Sequence, residues 1–198
     1  MPSVFSHAIA AVALGRSYST ERLPLRFWVL SAACAAAPDM DVMGKRFGIE
    51  YTEMLGHRGF THSIFFAIIL SALIVLLAFR KPLAGLSKFK LFLFFFLATI
   101  SHGLLDAMVD GTLGVAFFAP FVDTRYFLPF RPIVSSPVGW SFLSLAGALT
   151  LANEFVWVWL PSLAIIFAPY LRKRFLMKRH KNENQTSASN CDMIFESE

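Results

Sequence analysis

The stretch Ile64-Phe65-Phe66-Ala67-Ile68-Ile69-Leu70-Ser71-Ala72-Leu73-Ile74-Val75-Leu76-Leu77-Ala78-Phe79 carries no charge, and Ser71 is its single polar side chain. With Thr61 to Ser63 it reaches 19 residues, close to the ~20 that cross a hydrocarbon core as a helix. Just before it stands Gly56-His57-Arg58-Gly59-Phe60-Thr61-His62-Ser63. Thr61 or Ser63 can cap the helix, since a hydroxyl accepts from a free N–H of the first turn. Two histidines and an arginine at a helix entrance have no such routine job. Partners for them have to come from elsewhere in the chain.

The composition places the chain in a bilayer. Of 198 residues 56% are apolar, 16% are charged and 22 are Phe, and the mean hydropathy is +0.58. Long apolar runs at that level exclude an ordinary soluble domain. Cys34 and Cys191 are too few and too differently placed for a disulfide framework. The net charge of +5 sets orientation in a membrane protein before it suggests a partner, and no nucleic acid is expected. Met1 to His7 lacks a basic segment ahead of its apolar run, so the N-terminus reads as part of the fold and not as a cleaved signal.

Outward from 64–79, hydropathy predicts an all-α, polytopic membrane protein of about four to six helices. Val4 to Leu14 and Leu25 to Ala37 are apolar helices joined by a turn over Gly15 to Pro24. At 11 and 13 residues they either form a partly inserted hairpin or are lengthened by their flanks. Pro38-Asp39-Met40-Asp41 closes the second, and Val42 to Phe60 reads as a loop or short helix. Phe89 to Met108 is the next span. Val109 to Gly139 is a Pro- and aromatic-rich connection. Trp140 to Leu171 is either one kinked helix or a short helix leading into a span. Residues 1–177 form the membrane domain, and 178–198 a polar, disordered tail.

If the spans alternate, residues 16–26, residues 80–90 and the tail share one side. That side holds 13 of the 18 Lys and Arg residues, which predicts it to be cytoplasmic. The rest of the polar chemistry then faces outward, toward the periplasm of a Gram-negative source. His7, His57, His62 and His102 fall at that outer level with Asp39, Asp41 and Asp106; only His180 lies in the tail. His102 and Asp106 are spaced i, i+4 and share a helix face. His102 sits roughly 20 Å along its helix from Phe89, inside the apolar slab, where ionisable groups need a partner or a cavity. Each alone has a bland reading: an interfacial histidine, turn aspartates, a structural His–Asp pair. Together, imidazoles and carboxylates are a ligand set for zinc first, with manganese or iron as alternatives.

The early His7, Pro38-Asp39-Met40-Asp41, His57-Arg58-Gly59-Phe60-Thr61-His62-Ser63 and Ser101-His102-Gly103-Leu104-Leu105-Asp106 together resemble the YdjM-like family of bacterial inner-membrane proteins. The likeness continues through Phe118-Ala119-Pro120-Phe121 and Arg125-Tyr126-Phe127-Leu128-Pro129-Phe130, covering roughly residues 1 to 140. The family is described as metal-dependent hydrolases, some under LexA control and so tied to the SOS response. The resemblance implies a metal-hydrolase site at His7, Asp39, His57, His62, His102 and Asp106 in a multi-pass inner-membrane protein.

On that reading, one or two divalent ions activate water against a phosphoester or ester of a lipid or lipid-linked substrate. Asp41 is the candidate for an orienting or general-base role. Arg58, Arg125 and Arg131 are the available anion clamps. The aromatic, Pro-broken segment 109–139 suits the membrane boundary, and a lid there can admit a lipid from the side. The rival readings are a non-enzymatic membrane protein that binds metal and a structural or regulatory protein with buried polar pairs. Transport needs polar groups through the whole thickness, and Leu70 to Phe79 with Leu91 to Leu97 offer only Ser71.

Overall fold

The computed structural model describes residues 1–18, 23–81, 83, 85–137, 139–168, 170, 171 and 177. The expected tail 178–198, its basic approach from Arg172, and Arg22 in the first turn lie outside the described residues. The fold is helical. Helix α1 (Val4–Tyr18) is followed by α2 (Leu25–Ala36), α3 (Ile64–Ala78) and α4 (Lys88–Ala107). Helix α5 (Leu145–Ala168) comes last. A 3-10 stretch, Gly139–Leu143, leads into it, and a π turn at Phe155–Trp159 interrupts its α-helical hydrogen bonding.

Helix α1 runs past the expected stop at Leu14, because Gly15 is a packing position and not a turn. A Cβ there would come within 2.7 Å of the Trp28 ring, so glycine lets α1 lie close against α2. After α2 the chain tightens into 3-10 turns over Ala37–Phe47, ended by Gly48 at φ 82°. Only glycine adopts that left-handed geometry without cost. Ser63 is the cap of α3, its Oγ accepting from the Phe66 N–H at 3.0 Å. Thr61 is used elsewhere.

Helices α4 and α5 are long and apolar enough to cross a bilayer, at 20 and 24 residues. The stretch expected to be the clearest span, α3, is shorter, at 15 residues, or about 22 Å of helix. Its outward face is fully apolar, exposing Phe65, Ile68, Leu73 and Leu76, as lipid contact requires. The apolar core gathers Phe27 of α2, Val75 and Phe79 of α3, and Leu91, Phe94 and Phe95 of α4. Helix α4 is central, packing on α1, α2 and α3. The start of α1, the end of α2, the start of α3 and the end of α4 therefore meet at one end of the bundle. The connection 108–137 covers that end without a regular helix.

Candidate metal centre

Four side chains from four elements converge at the covered end. Asp39 comes from the 3-10 turns after α2, His62 from the turn before α3, and His102 with Asp106 from α4. One ligand atom of each lies within 4.8 Å of the others. His62 Nε2 is 3.1 Å from His102 Nε2 and 3.4 Å from Asp106 Oδ2, while His102 Nε2 is 3.3 Å from Asp39 Oδ1. All four oxygens of Asp39 and Asp106 are buried and make no well-aligned hydrogen bond, although Asp106 Oδ2 has the Arg58 Nε beside it at 3.0 Å. Buried polar atoms are ordinarily satisfied, so this shortage marks a place built for something else.

The tautomers point the same way. His102 Nδ1–H donates to the Ala35 carbonyl at 2.6 Å, and His62 Nδ1–H reaches Asp41 Oδ2 at 3.1 Å. Each ring thereby turns an Nε2 lone pair toward the carboxylates. Metal-bound histidines are held in this manner, with the second nitrogen tied to a carbonyl or carboxylate. Asp41 is a hub: Oδ1 accepts from His57 Nδ1–H at 2.8 Å, and Oδ2 also accepts from the Arg58 N–H at 3.1 Å and Thr61 Oγ1–H at 2.6 Å. Burial alone would raise the Asp41 carboxyl, but the His57, His62 and Thr61 hydrogen bonds outweigh it and hold it below the usual carboxylate range. Burial would likewise lower His62; Asp106 and Asp41 outweigh it and push the imidazole up to about 9.

His7 lies beside this group. Its ring stacks on His102 at 3.7 Å, its Nε2 is 3.9 Å from Asp106 Oδ1, and neither ring nitrogen has a hydrogen-bond partner. His57 is not among the four. It forms a second potential ligand group with Asp41 and His62, with its Nδ1 at hydrogen-bond distance from Asp41. Arg58 is buried at 1% exposure, with Nε 3.0 Å from Asp106 Oδ2. With the imidazoles neutral, three carboxylates and one guanidinium leave the cluster two negative charges, which a divalent cation cancels. The residues present fit such an ion.

Backbone geometry makes the convergence possible. A Cβ on Gly103 would lie 3.2 Å from both the His62 carbonyl and the Phe117 ring, so α4 accepts the His62 turn only where it has no side chain. Arg58 itself holds φ 65°, a left-handed conformation costing a non-glycine residue about 1–2 kcal/mol. Arg125 does not reach the donor set. Its guanidinium donates to the carbonyls of His57 and Tyr51, both at 3.0 Å, and so fixes the 48–60 loop. Arg131 pairs with Asp110 at 3.5 Å, half-exposed, and forms no ion pair with the cluster.

One buried acid was visible in sequence only as a break in an apolar run. Glu154 is fully buried and accepts from the Ser3 N–H at 2.7 Å and from the Ser3 and Ser6 hydroxyls. Trp159 Nε1–H donates to Ser6 Oγ at 2.8 Å. This network fastens the π turn of α5 to the start of α1, one residue from His7. The only sequence signal was an acid inside an otherwise apolar helix.

A helical membrane bundle with a buried His–Asp donor set at one end is the class defined here. The chain belongs to the YdjM inner membrane protein family, whose family model matches residues 1–178. It is similar to Inner membrane protein YbcI of Escherichia coli (strain K12), 34% identical over 175 residues that span 88% of this chain and 100% of that protein. No solved structure matches it. It is accordingly a protein of the inner membrane, and it carries His–Asp groups that could hold a metal ion.

Proposed function

We propose that the protein is a membrane-embedded, metal-dependent hydrolase acting on a phosphoester or ester of a lipid or lipid-linked substrate. One observation carries this reading: Asp39, His62, His102 and Asp106 gather ligand atoms within 4.8 Å of one another, and the Asp39 and Asp106 oxygens among them are buried without a well-aligned hydrogen bond. A divalent cation, zinc for preference given two imidazoles and two carboxylates, supplies Lewis acidity and water activated at neutral pH when bound there. His7, whose ring nitrogens have no hydrogen-bond partner and whose Nε2 lies beside Asp106, is the candidate to complete the ligand set. Asp41 positions His62 through Nδ1 and is itself saturated with donors, which favours an orienting role over that of a base. His57, held by Asp41 at Nδ1, keeps Nε2 to accept or return a proton.

A lipid substrate is supported by an apolar groove of about 400 Å3 beside the start of α3, lined by Ile64, Phe65, Ile68, Phe117, Phe118 and Phe121. Its walls adjoin His62 in sequence and Gly103 through Phe117. On this reading a lipid tail lies in the groove with its headgroup toward the donors. Ion conduction draws no support, since Ser71 spends its hydroxyl on the Ala67 carbonyl within α3.

The test is turnover. Purified protein should hydrolyse some member of a panel of lipid phosphoesters and esters, lose activity to a chelator and recover it with zinc or manganese. Stoichiometric metal without turnover on the whole panel would favour a non-enzymatic metal-binding protein. Protein that carries no metal and shows no turnover would leave the structural or regulatory reading.

A further inference from the structure

Arg58, which pairs with Asp106 of the donor set, also lines a second feature. A cavity of about 210 Å3 is walled by Tyr51, His57, Arg58, Thr112, Ser135 and Ser136, among others. That is smaller than the ~300–1,000 Å3 of whole-ligand pockets, so it suits a headgroup and not a complete lipid. Arg58 spends Nε on Asp106 at 3.0 Å and Nη1 on the Thr112 hydroxyl and the Leu113 carbonyl. Its Nη2 is buried and has no acceptor, in a residue only 1% exposed. A buried guanidinium N–H left empty costs more than a made hydrogen bond returns. It is paired with a strained backbone at φ 65°, and such strain persists where the surroundings demand that placement.

We propose that this cavity is a phosphoryl seat, in which Arg58, whose Nη2 lacks an acceptor, binds the anionic group of the substrate from a wall it shares with Tyr51, Thr112 and Ser135. The proposal rests on the hydrolase reading above and narrows its substrate class from esters in general to phosphoesters. Guanidinium geometry matches phosphate oxygens. Asp41, which accepts from the Arg58 N–H, repels an anion little, because both its oxygens are occupied by donors, and Asp106, the carboxylate on the guanidinium, is paired with Arg58 Nε. Arg125 holds the wall by binding the Tyr51 and His57 carbonyls. The seat is therefore tied to the donor set through Arg58, whose Nε pairs with Asp106, and shares His57 with the second ligand group.

The probe is inorganic phosphate, titrated against detergent-purified protein stripped of metal and followed by 31P NMR line broadening. Metal-free wild type should bind it, and Arg58→Gln should weaken binding at least about tenfold, equivalent to ~1.4 kcal/mol. Ser135→Trp, which fills the exposed edge of the cavity and leaves the Asp39, His62, His102 and Asp106 ligands untouched, should do the same while leaving metal content intact. Arg131→Gln, with the same loss of charge, should change nothing. Competition by short-chain phosphatidic acid would assign the seat to a lipid headgroup; failure to compete would assign it to a soluble phosphoester. Phosphate bound only by metal-loaded protein, or equally by Arg58→Gln and Ser135→Trp, overturns the seat and leaves the hydrolase reading standing. Phosphate bound by a protein that never takes up metal does the reverse.

Discussion

The Nε2 atoms of His62 and His102 face each other at 3.1 Å, and neither ring is free to turn away. Each Nδ1–H is already held, one by Asp41 and the other by the Ala35 carbonyl. Two lone pairs fixed at that separation call for a cation between them. Purified wild type should therefore carry about one divalent ion per chain, and His62→Ala or His102→Ala should fall below a tenth of that by mass spectrometry of the metal. Equal metal in either variant would remove the centre.

Asp41 touches three side chains but faces its oxygens away from the Nε2 atoms. Replacing it with Asn keeps the shape and takes away the charge that holds both imidazoles. Loss of such an orienting carboxylate typically weakens metal affinity about 10–100-fold. Competition against a chromogenic chelator should register that drop, with the Thr61→Val variant showing a smaller one. An Asp41→Asn protein of wild-type affinity would mean the hub does not position the ligands.

The raised His62 value makes opposite predictions for metal-free and metal-loaded protein. Without metal, the imidazolium is favoured by the fold, so its contribution is complete below the ordinary value of 6.5 and is lost as pH rises through about 9. Thermal stability of the stripped protein should decline across that window. Metal must displace the same proton, so apparent affinity should climb roughly tenfold per pH unit up to about 9. At pH 7, calorimetry in buffers of different ionisation heat should find roughly one proton released per ion. Affinity flat from pH 6 to 9 would contradict this assignment.

Gly103 offers a test of the close approach between α4 and the His62 turn. Alanine regains about 1 kcal/mol of helix preference, while its Cβ presses on contacts at 3.2 Å. Those effects oppose, so Gly103→Ala should shift thermal stability little and weaken metal binding modestly. Gly103→Val adds bulk with no such compensation and should cost ~1–3 kcal/mol, together with most of the metal. Wild-type affinity in the valine variant would show that this contact does not align His62.

Orientation follows from charge and is separable from the chemistry. A reporter fused after Arg179 should read as cytoplasmic, and one placed in the 48–55 loop as periplasmic, since 13 of 18 basic residues fall on the tail's side of an alternating topology. An external tail would invert the scheme and put the donor set on the inner face.

Much of this arrangement could be read from hydropathy and spacing. Apolar runs located the helices to within a turn, and alternation brought His7, Asp39, His62, His102 and Asp106 to one end. The all-α membrane class was legible for the same reason, and the family through the resemblance carried by the motifs at 38–41, 57–63 and 101–106. What escaped depends on contacts without a residue-type signature. The acceptor for His102 is the carbonyl of Ala35, which any residue provides. His57 looked equivalent to His62 until a left-handed turn at Arg58 sent their rings to different places. Arg125 looked like an anion clamp, yet its guanidinium binds backbone carbonyls 68 and 74 residues away. Glu154 meets Ser3 across 151 residues, a distance no local pattern spans.

Arg58 joins more of the chain than its side chain suggests. Its N–H binds Asp41, its carbonyl accepts from the Ala116 N–H at 3.0 Å, and its guanidinium reaches Asp106, Thr112 and Leu113. The consequence lies in biosynthesis. Every donor of the centre has been translated by residue 106, but the loop carrying His62 stays unbraced until residues 112–116 have followed. A nascent chain halted in between holds the ligands in sequence without holding them in space. Metal capture should then wait until the connection over the site is made, and a chain truncated at residue 110 should remain metal-free, its 48–60 loop open to protease.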